Sequence, residues 1–464
     1  MNVILIISDT FRWDNLNGSS AMPVRTPELN RFAERAVNVT GMVTGSFPTI
    51  PHRTDLTSGR FGWPWYGWQD RTLSSPNHLP QLLGQAGYVT QLLCDCPHLF
   101  RANFDVGFDA AHAIRGQEAD LHLLRMNYPI EYVMPPEKTR TGHHFQGRNL
   151  VDLARWENRH WRLEQDCLAP QTARLAVEFL EENYRHDPFF VWVDFFDPHE
   201  PWDAPEYLVR RYDPDYAGVP MLHPNYGKAS DLTPDEVRNL RAHYCAEAEL
   251  VDRSVGRVLQ KIDDLGLWEN SVVVFTSDHG MSLGEHNRTG KSNINDRDER
   301  CWPLYPEIAR VPCLIAAPGL DGGRTVDAVL QPPDLVPTML DLAGVQATPP
   351  EPFHGQSFAP ALRGEPQPAF RDCAVCGCFL RRTPDAAPTK WQTPVIYAEQ
   401  WAYVPIGPDG QRELYDVTRD PYAETNIIAA HPQVADALHA RLVAWLEKYD
   451  APAEAISACA PCGA

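Results

Sequence analysis

Residues 46–59 read Ser-Phe-Pro-Thr-Ile-Pro-His-Arg-Thr-Asp-Leu-Thr-Ser-Gly, so Thr49, Pro51 and Arg53 recur at every second position before a helical stretch. A strand-to-helix turn of this kind holds a nucleophile at a helix N-terminus. There, unpaired backbone N–H groups and the helix dipole favour an anion. Further reactive groups follow apolar runs: Asp9 after residues 3–8, His199 after 188–196, and Asp278-His279 after 271–276. Carboxylate oxygen, imidazole nitrogen and hydroxyl together suit a divalent cation. A cation beside Thr49 would lower its hydroxyl pKa and neutralise a substrate oxygen, allowing attack on phosphorus or sulfur. Arg53 offers paired donors for the same oxyanion, and Lys291 a point charge. Taken singly, Asp9 reads equally well as a helix cap and Lys291 as a solvated lysine. Their joint occurrence at strand ends outweighs those readings.

Those residues need a scaffold. Continuous aliphatic runs at 3–8, 188–196 and 271–276 predict strands buried on both faces of a mainly parallel sheet, whose carboxyl edge is the usual ligand side. Helices are expected over 27–37 (capped by Thr26), 78–87, 171–183, 334–344 and 432–449. A capping box at Thr233 and Glu236 opens another, to about 264. Further strands are expected at 88–93 and 311–317, and a hairpin at 395–398 and 401–404. The proline-rich 348–352 marks a boundary. The expectation is an α/β catalytic domain at 1–347, with an insertion or lid at about 110–165, and a C-terminal α+β subdomain at 348–464.

At 464 residues the chain can bury a large core, with 43% hydrophobic and 22% charged residues as in soluble proteins. A net charge of −20, from 61 acidic against 41 basic residues, argues against nucleic acid or an anionic membrane surface as partner. No secretory signal precedes the first apolar run, and no stretch approaches the roughly 20 apolar residues of a membrane span. The eleven cysteines therefore read as reduced thiols and the location as cytoplasmic. Cys373/Cys376 and Cys459/Cys462 have zinc-site spacing, but the ordinary-thiol reading is favoured because the second pair sits at the chain end.

The motif Thr49-x-Pro51-x-Arg53 with Thr57-Ser58-Gly59 resembles the signature of the sulfatase family, in the alkaline phosphatase superfamily. Similar landmarks follow in family order. They are Ile6-Ile7-Ser8-Asp9, Gly87-Tyr88-x-Thr90, Asp197-Pro198-His199-Glu200-Pro201-Trp202 and Ser277-Asp278-His279-Gly280. Beyond them come Gly284-Glu285-His286, Arg310-Val311-Pro312, 334–338 and Leu414-Tyr415-Asp416. The resemblance implies an alkaline-phosphatase-like mixed, mainly parallel sheet sandwiched by helices. It places Asp9, Thr49, Asp278 and His279 at metal-ligand positions, and Arg53, His199 and Lys291 on the substrate's anionic group, with His286 in the same shell. The ion is Ca, Mn, Mg or Zn.

Three departures matter. Thr10 stands where arylsulfatases carry a second Asp, as phosphonate monoester hydrolases and related phosphodiesterases also lack it. Asp95 in Cys94-Asp95-Cys96-Pro97-His98 replaces a lysine, which weakens the grip on a dianion, with His98 a partial substitute. Thr49 replaces the Cys or Ser that becomes formylglycine; oxidising a secondary alcohol gives a ketone, so formylglycine is not expected. The expectation is thus a metal-dependent hydrolase of small phosphodiesters or phosphonate esters with Thr49 as direct nucleophile. The alternatives are a sulfatase working without formylglycine and a degraded family member that only binds anions. A homo-oligomer stays open.

Overall fold

The computed structural model describes residues 1–18, 20, 22–120, 134–135, 138, 150–292, 302–366, 371–378 and 394–460. Its strands begin with β1 (Asn2–Ser8), β2 (Val37–Val39), β3 (Ser46–Phe47), β4 (Val89–Cys94), β5 (Ala110–Ala113) and β6 (Phe189–Phe195). They continue with β7 (Gly227–Lys228), β8 (Ser271–Ser277), β9 (Ser282–Leu283), β10 (Arg288–Gly290), β11 (Cys313–Ala316) and β12 (Thr325–Val326). The last are β13 (Ala374–Cys378), β14 (Val395–Ala398), β15 (Trp401–Val404) and β16 (Glu413–Asp416).

The main sheet has the order β12-β2-β11-β8-β1-β6-β4-β5. The run from β8 to β5 is parallel, while β11 is antiparallel to both β8 and β2. Alternate residues of each central strand enter opposite cores, which is why the sequence runs are apolar throughout. Val3, Leu5 and Ile7 join Phe190, Trp192, Val272 and Val274 on one face. Ile4 and Ile6 join Val191, Val193, Val273 and Phe275 on the other. Helices Thr49–Ser58, Leu79–Gln85 and Pro332–Ala343 cover the first face, and Pro27–Arg35, Leu168–Asn183 and Pro234–Asp264 the second. Burial of the five apolar side chains of β1 is worth on the order of 10 kcal/mol before chain entropy is counted.

The register positions the chemistry. Ser8 lies level with both Phe195 and Ser277, so the three central strands end together and release Asp9, Phe196 and Asp278 side by side.

A second sheet, β16-β15-β14-β13-β3, lies under helix Pro432–Lys448 through Leu438, Leu442, Trp445 and Leu446. Its last strand comes from far away in sequence: Ser46 and Phe47 pair in parallel with Gly377 and Cys378. The unit expected at 348–464 therefore shares its sheet with the two residues that lead into the Thr49 turn. Much of the insertion expected at 110–165 lies outside the described residues, as does Cys462. Cys376 and Cys378 sit in one apolar core, and Cys373 and Cys459 in another. Among the described residues no helix is long and apolar enough to cross a membrane.

Candidate active site

Helix Thr49–Ser58 begins at the nucleophile candidate and ends at Gly59, whose φ of +67° makes the left-handed C-cap. The turn before it is tied by Asp55, which accepts from the backbone N–H of Ser46 (2.7 Å) and Gly62 (2.5 Å) and from the Ser46 hydroxyl (2.8 Å). Thr49 is buried at the first helical position. Its Oγ1 donates to Asp9 Oδ2 at 3.0 Å.

Among the described residues, Asp9, Asp278 and His279 form the group whose ligand atoms lie within 4.8 Å of one another. Asp278 Oδ1 accepts from the N–H groups of His279 (2.8 Å) and Thr10 (2.9 Å), which fixes its orientation. His279 Nδ1 faces the Gly280 carbonyl at 2.9 Å. That bond places the proton on Nδ1 and leaves Nε2 a bare lone pair, fully buried with no hydrogen-bond partner. Burial lowers the His279 pKa to about 3 although Asp278 is adjacent, so the imidazole is neutral. Burial and the facing Asp278 push Asp9 up; against burial, the charge of Arg53 holds Asp278 down. An orphaned imidazole nitrogen beside two buried carboxylates fits a divalent cation.

Arg53 takes a different position from the one its sequence suggests. Its guanidinium grips Asp194 at both ends, Nε to Oδ2 at 2.9 Å and Nη2 to Oδ1 at 3.0 Å. Nη1 lies 2.9 Å from Asp278 Oδ2 and Nη2 3.6 Å from Asp9 Oδ2. The residue expected to hold the substrate oxyanion thus neutralises three buried carboxylates, as buried charges require. Asp194 was not anticipated; its signal was an acid inside the apolar run FFVWVDFF.

Lys291 reaches the site, with Nζ 3.3 Å from Thr10 Oγ1 and 3.8 Å from Glu200 Oε2. His199 Nδ1 lies 2.7 Å from the Glu200 carbonyl, and its ring stacks on Phe196 at 4.1 Å. Burial lowers its pKa to about 4, with Lys291 adding to the effect and Glu200 opposing it. In the free protein His199 is therefore an acceptor through Nε2. Glu200, another residue missed, accepts from the Tyr226 hydroxyl.

Two expectations are corrected. His286 is not drawn into this group by its described contacts: its ring stacks on Tyr305 at 3.7 Å and Nε2 faces the Tyr422 carbonyl at 2.8 Å. It joins the 284–290 loop to the C-terminal region. Asp95, expected to act on the anion, is committed through one oxygen to the backbone. Its Oδ1 accepts from the Phe196 N–H at 2.6 Å, anchoring the loop that carries His199. His98 pairs with Glu118, a residue with φ +45°, between the rings of Trp68 and Phe196.

The sequence matches the family profile described as Sulfatase over residues 1–345, and that described as N-sulphoglucosamine sulphohydrolase, C-terminal, over residues 298–449. It is similar to the ulvan-active sulfatase of Formosa agariphila, 26% identical over 440 residues covering 92% of this chain and 77% of that one. Among solved structures, the phosphonate monoester hydrolase of Agrobacterium radiobacter aligns with a TM-score of 0.72 at 22% identity, covering 97% and 96% of the two chains. A structure in complex with its substrate D-glucosamine-2-N,6-O-disulfate aligns at 0.67 with 19% identity, covering 97% and 98%. At these identities the alignments establish the shared α/β fold.

Proposed function

This chain belongs to the sulfatase family of ester hydrolases, and from that premise we propose that it cleaves small phosphodiesters or phosphonate monoesters with Thr49 as direct nucleophile. The observation that carries the proposal is the 3.0 Å bond from Thr49 Oγ1 to Asp9 Oδ2 at a helix N-terminus, beside the bare Nε2 of His279. Asp9, Thr49, Asp278 and His279 would hold the cation. When bound, it lowers the Thr49 hydroxyl pKa and offsets charge on an ester oxygen.

In the first half-reaction Asp9 accepts the Thr49 proton as the Thr49 oxygen bonds phosphorus and the bond to the leaving oxygen breaks. His199 takes up a proton as the anionic ester arrives beside it, and passes that proton to the leaving oxygen. Water then attacks the threonine ester. His199 recovers a proton from that water, and Asp9 returns one to Thr49. Lys291 balances the anion's charge throughout.

Phosphorus is favoured over sulfur because a phospho-threonine yields to water more readily than a sulfo-threonine, and Thr49 cannot supply the aldehyde that assists sulfate release. Sulfate esters are the second reading, on the strength of relatives such as the ulvan-active sulfatase. The test is turnover of an aryl phosphodiester, an aryl phosphonate and an aryl sulfate by parent and Thr49→Ala with Mn²⁺. Thr49-dependent turnover of a phosphorus ester and a mass increase on Thr49 are expected. Turnover of the sulfate alone would establish the second reading, and binding with no turnover a purely anion-binding protein.

A further inference from the structure

Thr10 adopts φ +62°, a left-handed conformation that a β-branched residue rarely takes. Nothing local to the chain favours it; the surroundings impose it. The Thr10 N–H donates to Asp278 Oδ1 at 2.9 Å, and its carbonyl accepts from the Tyr244 hydroxyl at 2.9 Å. The same hydroxyl accepts from the N–H of Arg12 and from the Asn15 side chain, both at 3.0 Å, so the turn is held at several points. The Thr10 side chain then completes a bridge. Oγ1 donates to Asp9 Oδ1 at 2.7 Å and lies 3.3 Å from Lys291 Nζ. All three polar atoms of this buried residue are thus committed, two of them to the candidate ligands Asp9 and Asp278.

Strain that persists because several contacts over-determine it is the mark of a position kept for function rather than stability. We propose that Thr10 is a positioning residue: its hydroxyl fixes the rotation of the Asp9 carboxylate, so that Oδ2 faces Thr49, and sets the distance from Asp9 to Lys291. Asp9 offers Oδ1 to Thr10 and Oδ2 to Thr49, so one hydroxyl holds the carboxylate while the other is activated by it. The inference rests on the functional reading given above for Thr49.

Stability and function separate at this position, which makes the claim testable with four proteins: parent, Thr10→Ser, Thr10→Val and Thr10→Gly. Thr10→Ser keeps the hydroxyl, Thr10→Val keeps the shape without it, and Thr10→Gly removes both hydroxyl and strain. The expected order of kcat is parent and Thr10→Ser within about threefold, with Thr10→Val and Thr10→Gly both on the order of ten- to a hundredfold lower. Thr10→Gly is nevertheless expected to unfold at or about 1–2 °C above the parent. Calorimetric titration with Mn²⁺ gives a readout independent of turnover, with affinity kept by Thr10→Ser and weakened severalfold by Thr10→Val. A structural residue would give the opposite pattern, with Thr10→Gly as active as the parent, and that result would overturn the proposal. Equal Mn²⁺ affinity in Thr10→Val and parent would also overturn it. If Thr49→Ala matches the parent while the Mn²⁺ series holds, the nucleophile assignment fails and the role of Thr10 stands.

Discussion

Arg53 carries the largest electrostatic burden of any side chain at the site, meeting Asp194, Asp278 and Asp9 with no exposure to solvent. A lysine retains the charge but cannot fill a two-pronged contact, so Arg53→Lys is expected to lose about 3 kcal/mol or more by urea unfolding. His243 illustrates the same cost for a lone group. It is buried, its Nδ1 lacks a hydrogen-bond partner, and burial, with Arg155 adding, lowers its pKa to about 4. Below the ordinary histidine pKa the unfolded chain binds a proton that the folded chain refuses, so stability falls as pH drops from about 6.5 towards 4. His243→Leu removes that loss. Relative to the parent it should gain about 2 kcal/mol on moving from pH 7.5 to pH 5, measured by denaturant unfolding at each pH. Asp9, His199 and the Asp278-His279 pair were legible because they end apolar runs, and a strand terminus declares both its position and its direction. Asp194 and Glu200 were not legible because only folding shows that their partners are Arg53, Lys291 and Tyr226. The contact of Asp95 was hidden for the same reason: its motif position suggested the anion pocket and gave no sign that one carboxylate oxygen holds the Phe196 N–H.

Helix Thr49–Ser58 is short and buried all round, so its ends decide its placement. A Cβ on Gly59 would stand 2.5 Å from Phe353 Cδ1, and the positive φ adds strain. Gly59→Ala should therefore destabilise by about 1–3 kcal/mol in thermal or urea unfolding. Helix Pro234–Asp264 shows the milder case: Thr233 and Glu236 close a capping box at its exposed start, and Thr233→Ala should cost only about 1 kcal/mol. The longer helix was readable because hydrophobic period, cap and proline agreed. What escaped reading was short or polar. The edge strand β5 (Ala-Ala-His-Ala) and the two-residue β3 have no pattern of their own and exist because a neighbour offers hydrogen bonds.

For the molecule as a whole, a cation held by the candidate ligands would link binding to folding. The ligand atoms come from residues 9, 278 and 279, so the group assembles only when β1 and β8 are paired. Mn²⁺ at a hundred times its Kd should stabilise the fold by about 2.7 kcal/mol, read as a rise in Tm that a chelator reverses and His279→Ala abolishes. The pairing of β3 with β13 has a consequence in time rather than space. Ser46 and Phe47, the residues leading into Thr49, find their strand partner at Gly377 and Cys378, more than three hundred residues later in the chain. On a ribosome that delivers roughly 5–20 residues per second, the Thr49 turn waits many seconds for its last support. A nascent chain released early would carry every candidate ligand and Thr49, yet leave Thr49 at a half-made turn. Maturation of the site is thus scheduled by the C-terminal sheet.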